Sequence, residues 1–157
     1  MIHLVPMQEN EFQTYLDKAI PNYAAENIRA GYWSEEDGSN KARETFKRLL
    51  SDGVNTKDQH IYTVQDPETD QTVGVIWLNA RTDTPHPIGF IYDIRIDEAM
   101  RGKGFGKQAM LAIEDKAREL GLESIALHVF FHNTTAVGLY EKIGYKTRSL
   151  NMVKDLA

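Results

Sequence analysis

The chain has 157 residues, of which 41% are hydrophobic and 26% are charged. At about 100–200 residues per domain, this length predicts one domain over 1–157, and the apolar fraction excludes a disordered or fibrous protein. There is no cysteine, which excludes disulfides, cysteine-ligated metals and a cysteine nucleophile. The formal net charge of -5 has the wrong sign for binding a nucleic-acid backbone.

The first residues, 1–6, lack the positive region that begins a signal peptide. Apolar runs such as 73–78 are far shorter than the ~20 residues that span a membrane. We therefore expect a cytoplasmic protein with no membrane and no nucleic-acid partner.

Apolar periodicity and turn residues predict the elements in chain order. In the first half these are a strand at 2–6, a helix or helix pair from Phe12 that Pro21 interrupts, a helix around 40–51, and hairpin strands at 60–64 and 72–78. In the second half they are a strand at 88–96, a helix at 104–120, a strand at 124–131, a helix at 136–143, and one or two strands within 145–153.

This order predicts an α+β domain with a mixed, mostly antiparallel β-sheet, helices on both faces and a central β-α-β unit. The strand at 88–96 leads into that unit, so the direction of its side chains matters. Strict alternation predicts that Phe90, Tyr92, Ile94 and Ile96 share one face, and that Asp93 and Arg95 share the other.

The most informative segment is 101–107, Arg-Gly-Lys-Gly-Phe-Gly-Lys, between a predicted strand and a predicted helix. Free N–H groups at a helix N-terminus attract phosphate, and glycines let it approach closely, so a pyrophosphate fits. Two common phosphate-binding motifs do not fit this segment. A Rossmann motif would need glycine at the position of Lys107, and a Walker A motif would need glycine at the position of Arg101 and Ser or Thr at that of Gln108. The alternative is a loop that only turns the chain.

Residues 101–106 resemble the Arg/Gln-x-x-Gly-x-Gly/Ala signature of the Gcn5-related N-acetyltransferase (GNAT) superfamily, and residues 128–145 resemble its second motif. The resemblance implies a GNAT-like fold with acetyl-CoA as co-substrate. Backbone amides of the glycine turn would hold the pyrophosphate, the strand edge before it would pair with the pantetheine arm, and Asn133 would contact the cofactor from the other side. The implied cofactor residues are Ile94, Arg95, Ile96, Arg101, Gly102, Lys103, Gly104, Phe105, Gly106, Lys107 and Asn133.

Acetyl transfer to an amine needs a base for the amine and an acid for the departing thiolate. By the resemblance, Tyr140 occupies the position of the acid, although an aromatic residue on an apolar stripe is also typical of packing. Asp93 is the first candidate for the base, and an ion pair with Arg95 is the alternative reading of its position. Glu98 is a weaker candidate, and a water molecule is a third option.

The five histidines show no dense ligand spacing, so no metal is expected. The acceptor should enter where the first two helices and the loop at 82–87 meet the strand ends. Aromatic and acidic residues concentrate there, which suits an amine: Tyr23, Glu26, Tyr32, Trp33, Glu35, Glu36 and Asp37.

The sequence thus predicts direct transfer from acetyl-CoA to a primary amine of a small molecule, polyamine or peptide, in a ternary complex. Two alternatives remain: a non-catalytic acyl-CoA-binding sensor module, and a phosphate-ligand binder unrelated to CoA. Many members of the superfamily form dimers, so a homodimer is also expected.

Overall fold

A computed structural model describes residues 1–157 and contains one five-stranded sheet and four α-helices. The strands are β1 (His3–Pro6), β2 (Gln59–Asp66), β3 (Gln71–Arg81), β4 (Ile88–Ile96) and β5 (Ser124–Leu127). The helices are α1 (Glu9–Arg29), α2 (Gly38–Leu49), α3 (Phe105–Glu119) and α4 (Thr134–Lys142), and single 3₁₀ turns occur at Gly53–Asn55 and Glu98–Met100.

The strands follow one another across the sheet in the order β1-β2-β3-β4-β5. All neighbours are antiparallel except β4 and β5, which are parallel and joined through α3. A parallel pair needs such a crossover, because a short turn cannot reverse the chain twice. The predicted α+β class, with its mixed sheet and central β-α-β unit, is confirmed.

Both faces of the sheet are covered, because successive residues of the central strand β3 point to opposite sides. Ile76 and Leu78 pack with Met110 of α3 in one apolar cluster. Trp77, between them, packs with Phe46 of α2 in a second cluster. Eight consecutive residues of β3 are buried, which accounts for its continuous apolar pattern.

Helix α1 continues through Pro21, so the predicted interruption there is wrong. Proline lacks an N–H group and usually kinks or ends a helix. Here Pro21 is exposed, while buried residues on both sides of it, Ala19 and Ala24, hold the two halves against the rest of the protein. Burial on one face therefore outweighs the missing hydrogen bond.

A β-bulge in β4 changes the predicted direction of its side chains. Trp77 of β3 pairs with Asp93, but the next residue, Leu78, pairs with Ile91, so Tyr92 is an extra residue in β4. An extra residue shifts the alternation of faces by one position. The ring of Tyr92 lies 4.7 Å from that of Trp77, on the side of α1 and α2.

The predicted set of four residues on one face is therefore wrong. Phe90 contacts Tyr92 at 4.9 Å between ring centroids, whereas Ile94 packs on the α3 side. The prediction that Asp93 and Arg95 share a face is confirmed, because both contact Tyr15 of α1.

The end of the chain contains less β-structure than predicted. Strand β5 ends at Leu127 instead of residue 131, and residues 145–157 form no regular element. Pairing between β4 and β5 stops at Ile91, just before the bulge, so the chain after β5 has no neighbouring strand to pair with. No helix combines the length and hydropathy needed to cross a membrane.

Candidate active site

The candidate active site is a cleft between β4 and β5. Ile88–Ile91 pairs with Ser124–Leu127, and β4 then continues to Ile96 with no partner on that edge. A cleft of about 430 Å³ opens there. It is lined by Ile94, Ile96, Arg101, Gly106, Asn133, Thr135, Ala136, Leu139 and Tyr140. The strand edge, residues of the glycine turn, Asn133 and Tyr140, which the family resemblance implies as parts of one site, thus lie around one cleft.

The glycine turn presents free backbone N–H groups at the start of α3. Gly102 and Gly104 have φ of 79° and 83°, which residues with a Cβ rarely adopt. Gly104 precedes α3 and supplies no side-chain cap. The N–H groups of residues 102–107 donate to no protein acceptor, whereas that of Arg101 donates to the Glu98 carbonyl at 3.3 Å. The free run therefore begins at Gly102, one residue later than predicted.

The cations of the turn have different surroundings. Arg101 Nε donates to the Ile96 carbonyl oxygen at 3.0 Å, which holds the turn against the end of β4. Lys103 and Lys107 are exposed at the helix start, where the helix dipole disfavours positive charge. A bound anion would remove that penalty.

Asn133 forms the opposite wall of the cleft at the start of α4. Its Oδ1 accepts a hydrogen bond from the Ala136 N–H at 3.3 Å, so it caps the helix. Its own N–H donates to the Phe130 carbonyl at 2.9 Å, which closes the turn before α4. The cap fixes the direction in which α4 leaves this turn.

Tyr140 lies on α4, where it both packs against the main core and lines the cleft. Burial, together with the negative charge of Asp93, raises the pKa of Tyr140 to about 12. The phenol therefore keeps its proton at neutral pH and is able to donate it. Packing and proton donation, which the sequence left as alternatives, are compatible here.

Asp93 follows the bulge and is only partly exposed. Its Oδ2 accepts a hydrogen bond from the Tyr15 hydroxyl at 2.8 Å. Burial raises the pKa of Asp93, and the Tyr15 hydrogen bond, the charge of Arg95 and the Ile94 N–H oppose the rise. A carboxyl group with a raised pKa is better matched to accepting a proton near neutral pH.

The alternative reading of Asp93 is not supported, because Asp93 and Arg95 do not form an ion pair. Arg95 instead lies over the Tyr15 ring, 6.0 Å from its centroid. Its side chain is therefore on the α1 side of the sheet, and only its backbone can belong to the free edge of β4. Glu98 is exposed in the 3₁₀ turn after β4.

Two contacts near the cleft were missed by sequence reasoning. Tyr15 is 78 residues from Asp93 in the chain, and His132 is 106 residues from Glu26, whose Oε2 lies 2.7 Å from His132 Nε2. No local pattern indicates either pair. The histidine and acidic residues of the chain form no group of three or more that could hold a metal ion.

Comparison with known proteins assigns the chain to a protein family. The model of the acetyltransferase (GNAT) family matches residues 22–145, which include β4, the glycine turn and α4. The chain belongs to that family. It is an acyltransferase by fold and descent, as the sequence predicts.

Two relatives of this GNAT protein come from Bacillus subtilis strain 168, and both are described as uncharacterized N-acetyltransferases. YycN is 39% identical over 155 residues, covering 99% of each chain. YdgE is 35% identical over 153 residues, covering 98% of this chain and 97% of its own. The crystal structure of YycN superposes with a TM-score of 0.95 over 100% of this chain and 99% of that one.

The raised pKa of Asp93 gives a pH-dependent prediction. Ionised Asp93 is less favourable in the folded than in the unfolded chain, so its contribution to stability falls as pH rises from the ordinary value of 3.8 through the raised value. In Asp93→Asn the side chain at this position is uncharged at every pH. We expect the free energy of unfolding of Asp93→Asn, relative to wild type, to increase as the pH rises above the ordinary aspartate pKa of 3.8, measured by urea denaturation. A constant or decreasing difference would show that burial does not govern this group.

Proposed function

We propose that this protein acts as a single domain that transfers the acetyl group of acetyl-CoA to a primary amine. The observation that carries the proposal is the convergence of the free N–H run 102–107, the unpaired edge of β4 and Tyr140 on one cleft. Each of these features matches a different part of an acyl-CoA: the pyrophosphate, the pantetheine amides and the thioester. We expect attack to be direct, in a ternary complex, because the chain has no cysteine and no serine lines the cleft to form an acyl-enzyme.

The residues present fit acetyl-CoA. The amides of 102–107 would bind the pyrophosphate. Gly102 and Gly104 have positive φ values that favour glycine, and having no side chain they leave that surface open. A Cβ on Gly106 would meet Leu139 at 3.5 Å and Ile96 at 3.8 Å, so the cleft wall is already closely packed there. The free edge of β4 would pair with the pantetheine arm like an added strand, and Asn133 would border it on the other side.

Bound acetyl-CoA supplies the thioester carbon that the amine attacks. Asp93, oriented by Tyr15, would accept the proton of the incoming ammonium, directly or through water. As the new C–N bond forms and the C–S bond breaks, Tyr140 would give its proton to the departing sulfur. The attacking nitrogen would lose its second proton to solvent as the amide forms, and the proton that Asp93 took would restore the Tyr140 phenol, so the products are the amide, the CoA thiol and one released proton.

The two proton transfers are coupled by charge. The negative charge of Asp93 is one cause of the raised pKa of Tyr140. Once Asp93 is protonated that charge is gone, so the pKa of Tyr140 falls at the stage when Tyr140 must donate. A thiolate of pKa about 8.5 is a weak base, so this lowering helps the transfer.

The acceptor would approach from the side of α1 and α2, because the bulge places Asp93 on that face. The loop at 82–87, expected from the sequence to border the same entrance, instead precedes β4 at the end of the sheet away from the cleft. An aromatic wall lies there, where the Tyr23 and Trp33 rings meet edge to face at 5.4 Å. The negative net charge also favours a cationic acceptor. A small amine, a polyamine and a peptide amine all fit this description.

A non-catalytic acyl-CoA sensor would need the glycine turn but neither Tyr140 nor Asp93. The placement of Tyr140 in the cleft, with a charge-coupled Asp93, favours catalysis. We also propose a homodimer. The outer edge of β5 is unpaired, and the exposed apolar residues after α4 offer a surface that a second copy would cover.

The first test is calorimetric titration with acetyl-CoA, with CoA, pantetheine and ATP as comparators. We expect micromolar binding of acetyl-CoA, far weaker binding of pantetheine, and at least tenfold weaker acetyl-CoA binding by Gly104→Val, whose side chain is strained at positive φ. Binding of ATP without acetyl-CoA would contradict the proposal. Candidate amines are then screened by detecting the CoA thiol that the reaction releases. The protein has no cysteine, so it adds no thiol signal of its own.

The role of Tyr140 is tested by Tyr140→Phe, which removes the acidic proton and keeps the ring. We expect kcat to fall by about 10²–10⁴-fold while the dissociation constant of acetyl-CoA changes little. Tyr145→Phe is the matched control, because burial raises the pKa of Tyr145 to about 12 as well and its ring lies 6.0 Å from that of Tyr140. Equal losses in both variants would assign the effect to packing.

A further inference from the structure

Helix α1 is attached to both sides of the opening between β4 and β5. Tyr15 and Glu26 are eleven residues apart, which at 3.6 residues per turn places them on the same helix face, about 16 Å apart along the axis. Tyr15 bonds to Asp93 on β4, and Glu26 bonds to His132 in the turn between β5 and α4. The two contacts therefore fix α1 across the gap where the strands separate.

The second contact is built more firmly than an ordinary surface ion pair. The side chains of His132 and Glu26 are 22% and 32% exposed. The His132 ring is stacked on Phe130 at 5.5 Å, and the Phe130 ring lies 6.2 Å from Tyr32, the third residue after α1. Packing on this aromatic pair limits the rotation of the imidazole and lowers the entropy lost in holding Glu26.

The chain contains a second histidine–glutamate pair, which is much more exposed. His86 and Glu123 lie 3.0 Å apart, but their side chains are 87% and 57% exposed. Exposed pairs of this kind contribute little to stability or geometry. The pair lies before β4 and β5, at the end of the sheet away from the cleft, so it provides an internal control.

The position of His132 connects this contact to the cofactor cleft. His132 directly precedes Asn133, which caps α4 and lines the cleft. No other hydrogen bond joins α1 to residues 128–133. We propose that Glu26 and His132 are positioning residues for the transfer reaction, which tie the acceptor-side helix α1 to the turn that presents Asn133 to the cofactor.

This assignment rests on the proposed function and goes further, because it makes cofactor binding depend on the acceptor side of the protein. When the pair is broken, the turn at 130–133 loses its hydrogen bond to α1, and Asn133 is held at the cleft wall only by the bonds within the turn and by the packing of Phe130 on Tyr32. Tyr140 and Asp93 keep their own contacts. The expected result is weaker binding of acetyl-CoA with little change in kcat.

The experiment measures acetyl-CoA binding by calorimetry in Glu26→Ala, His132→Ala, the double variant and His86→Ala. We expect about tenfold weaker binding in both single variants and no further loss in the double variant, because each residue acts through the other. His132→Gln, which keeps a donor for Glu26, should recover part of the affinity. His86→Ala should bind like wild type.

Two further measurements distinguish positioning from a general loss of stability. Hydrogen exchange of the bonded amides of Asn133, Ala136 and Val137 should become faster in His132→Ala and stay unchanged in His86→Ala. With any amine that the screen identifies, the KM of His132→Ala for acetyl-CoA should be about tenfold higher than that of the wild type, and its kcat should be within about twofold.

A lowered Tm with unchanged acetyl-CoA affinity in Glu26→Ala and His132→Ala would overturn the positioning role, and so would additive losses in the double variant. If even the wild type fails to bind acetyl-CoA, the proposed function itself fails. Hydrogen exchange then tests separately whether the Glu26–His132 pair holds the turn at 130–133. Unchanged exchange in His132→Ala would reject that role too.

Discussion

The separation of β4 from β5 after four paired residues is the constraint on which the rest of the site depends. Pairing ends at Ile91, and the bulge at Tyr92 follows immediately. Because a bulge bends and twists its strand, β4 turns away from β5 at this point. The hydrogen-bonding edge from there to Ile96 is left for a ligand, and Asp93 faces the helices on the other side of the sheet.

The same separation places the two halves of the proposed chemistry on different walls. The glycine turn continues directly from β4, and α4 continues from the chain after β5. A cofactor between them would contact both walls, and an acceptor would reach the thioester from beneath α1. Helix α1 contacts one wall through Tyr15 and the other through Glu26, so it bridges this opening.

Much of the fold and part of the site follow from local sequence signals. The glycine turn and the helix α3 that follows it each depend on residues within one or two turns, so the sequence predicts them well. The bulge could not be predicted in this way. An extra residue at Tyr92 leaves a sequence that still alternates, and only the pairing with Trp77 and Leu78 reveals the change of face.

Long-range contacts account for the remaining differences. Pro21 stops a helix in isolation, but burial on both sides of it continues α1. The strand pattern after Gly144 forms no regular element although the outer edge of β5 is free, so the local pattern alone does not make a strand there. Tyr15 with Asp93 and Glu26 with His132 meet only after the sheet has formed, and no spacing rule connects residues so far apart.

The most direct test of the central claim is amide chemical-shift mapping of ¹⁵N-labelled protein during titration with acetyl-CoA. If the separated strands form the cofactor cleft, the largest shifts will occur at 94–96 and 102–107, with a smaller set around Asn133. A second groove, lined by charged residues of α2 that include Lys41 and Arg48, is the alternative anion site. Shifts confined to that groove, with the glycine turn unaffected, would contradict the assignment of the cofactor cleft.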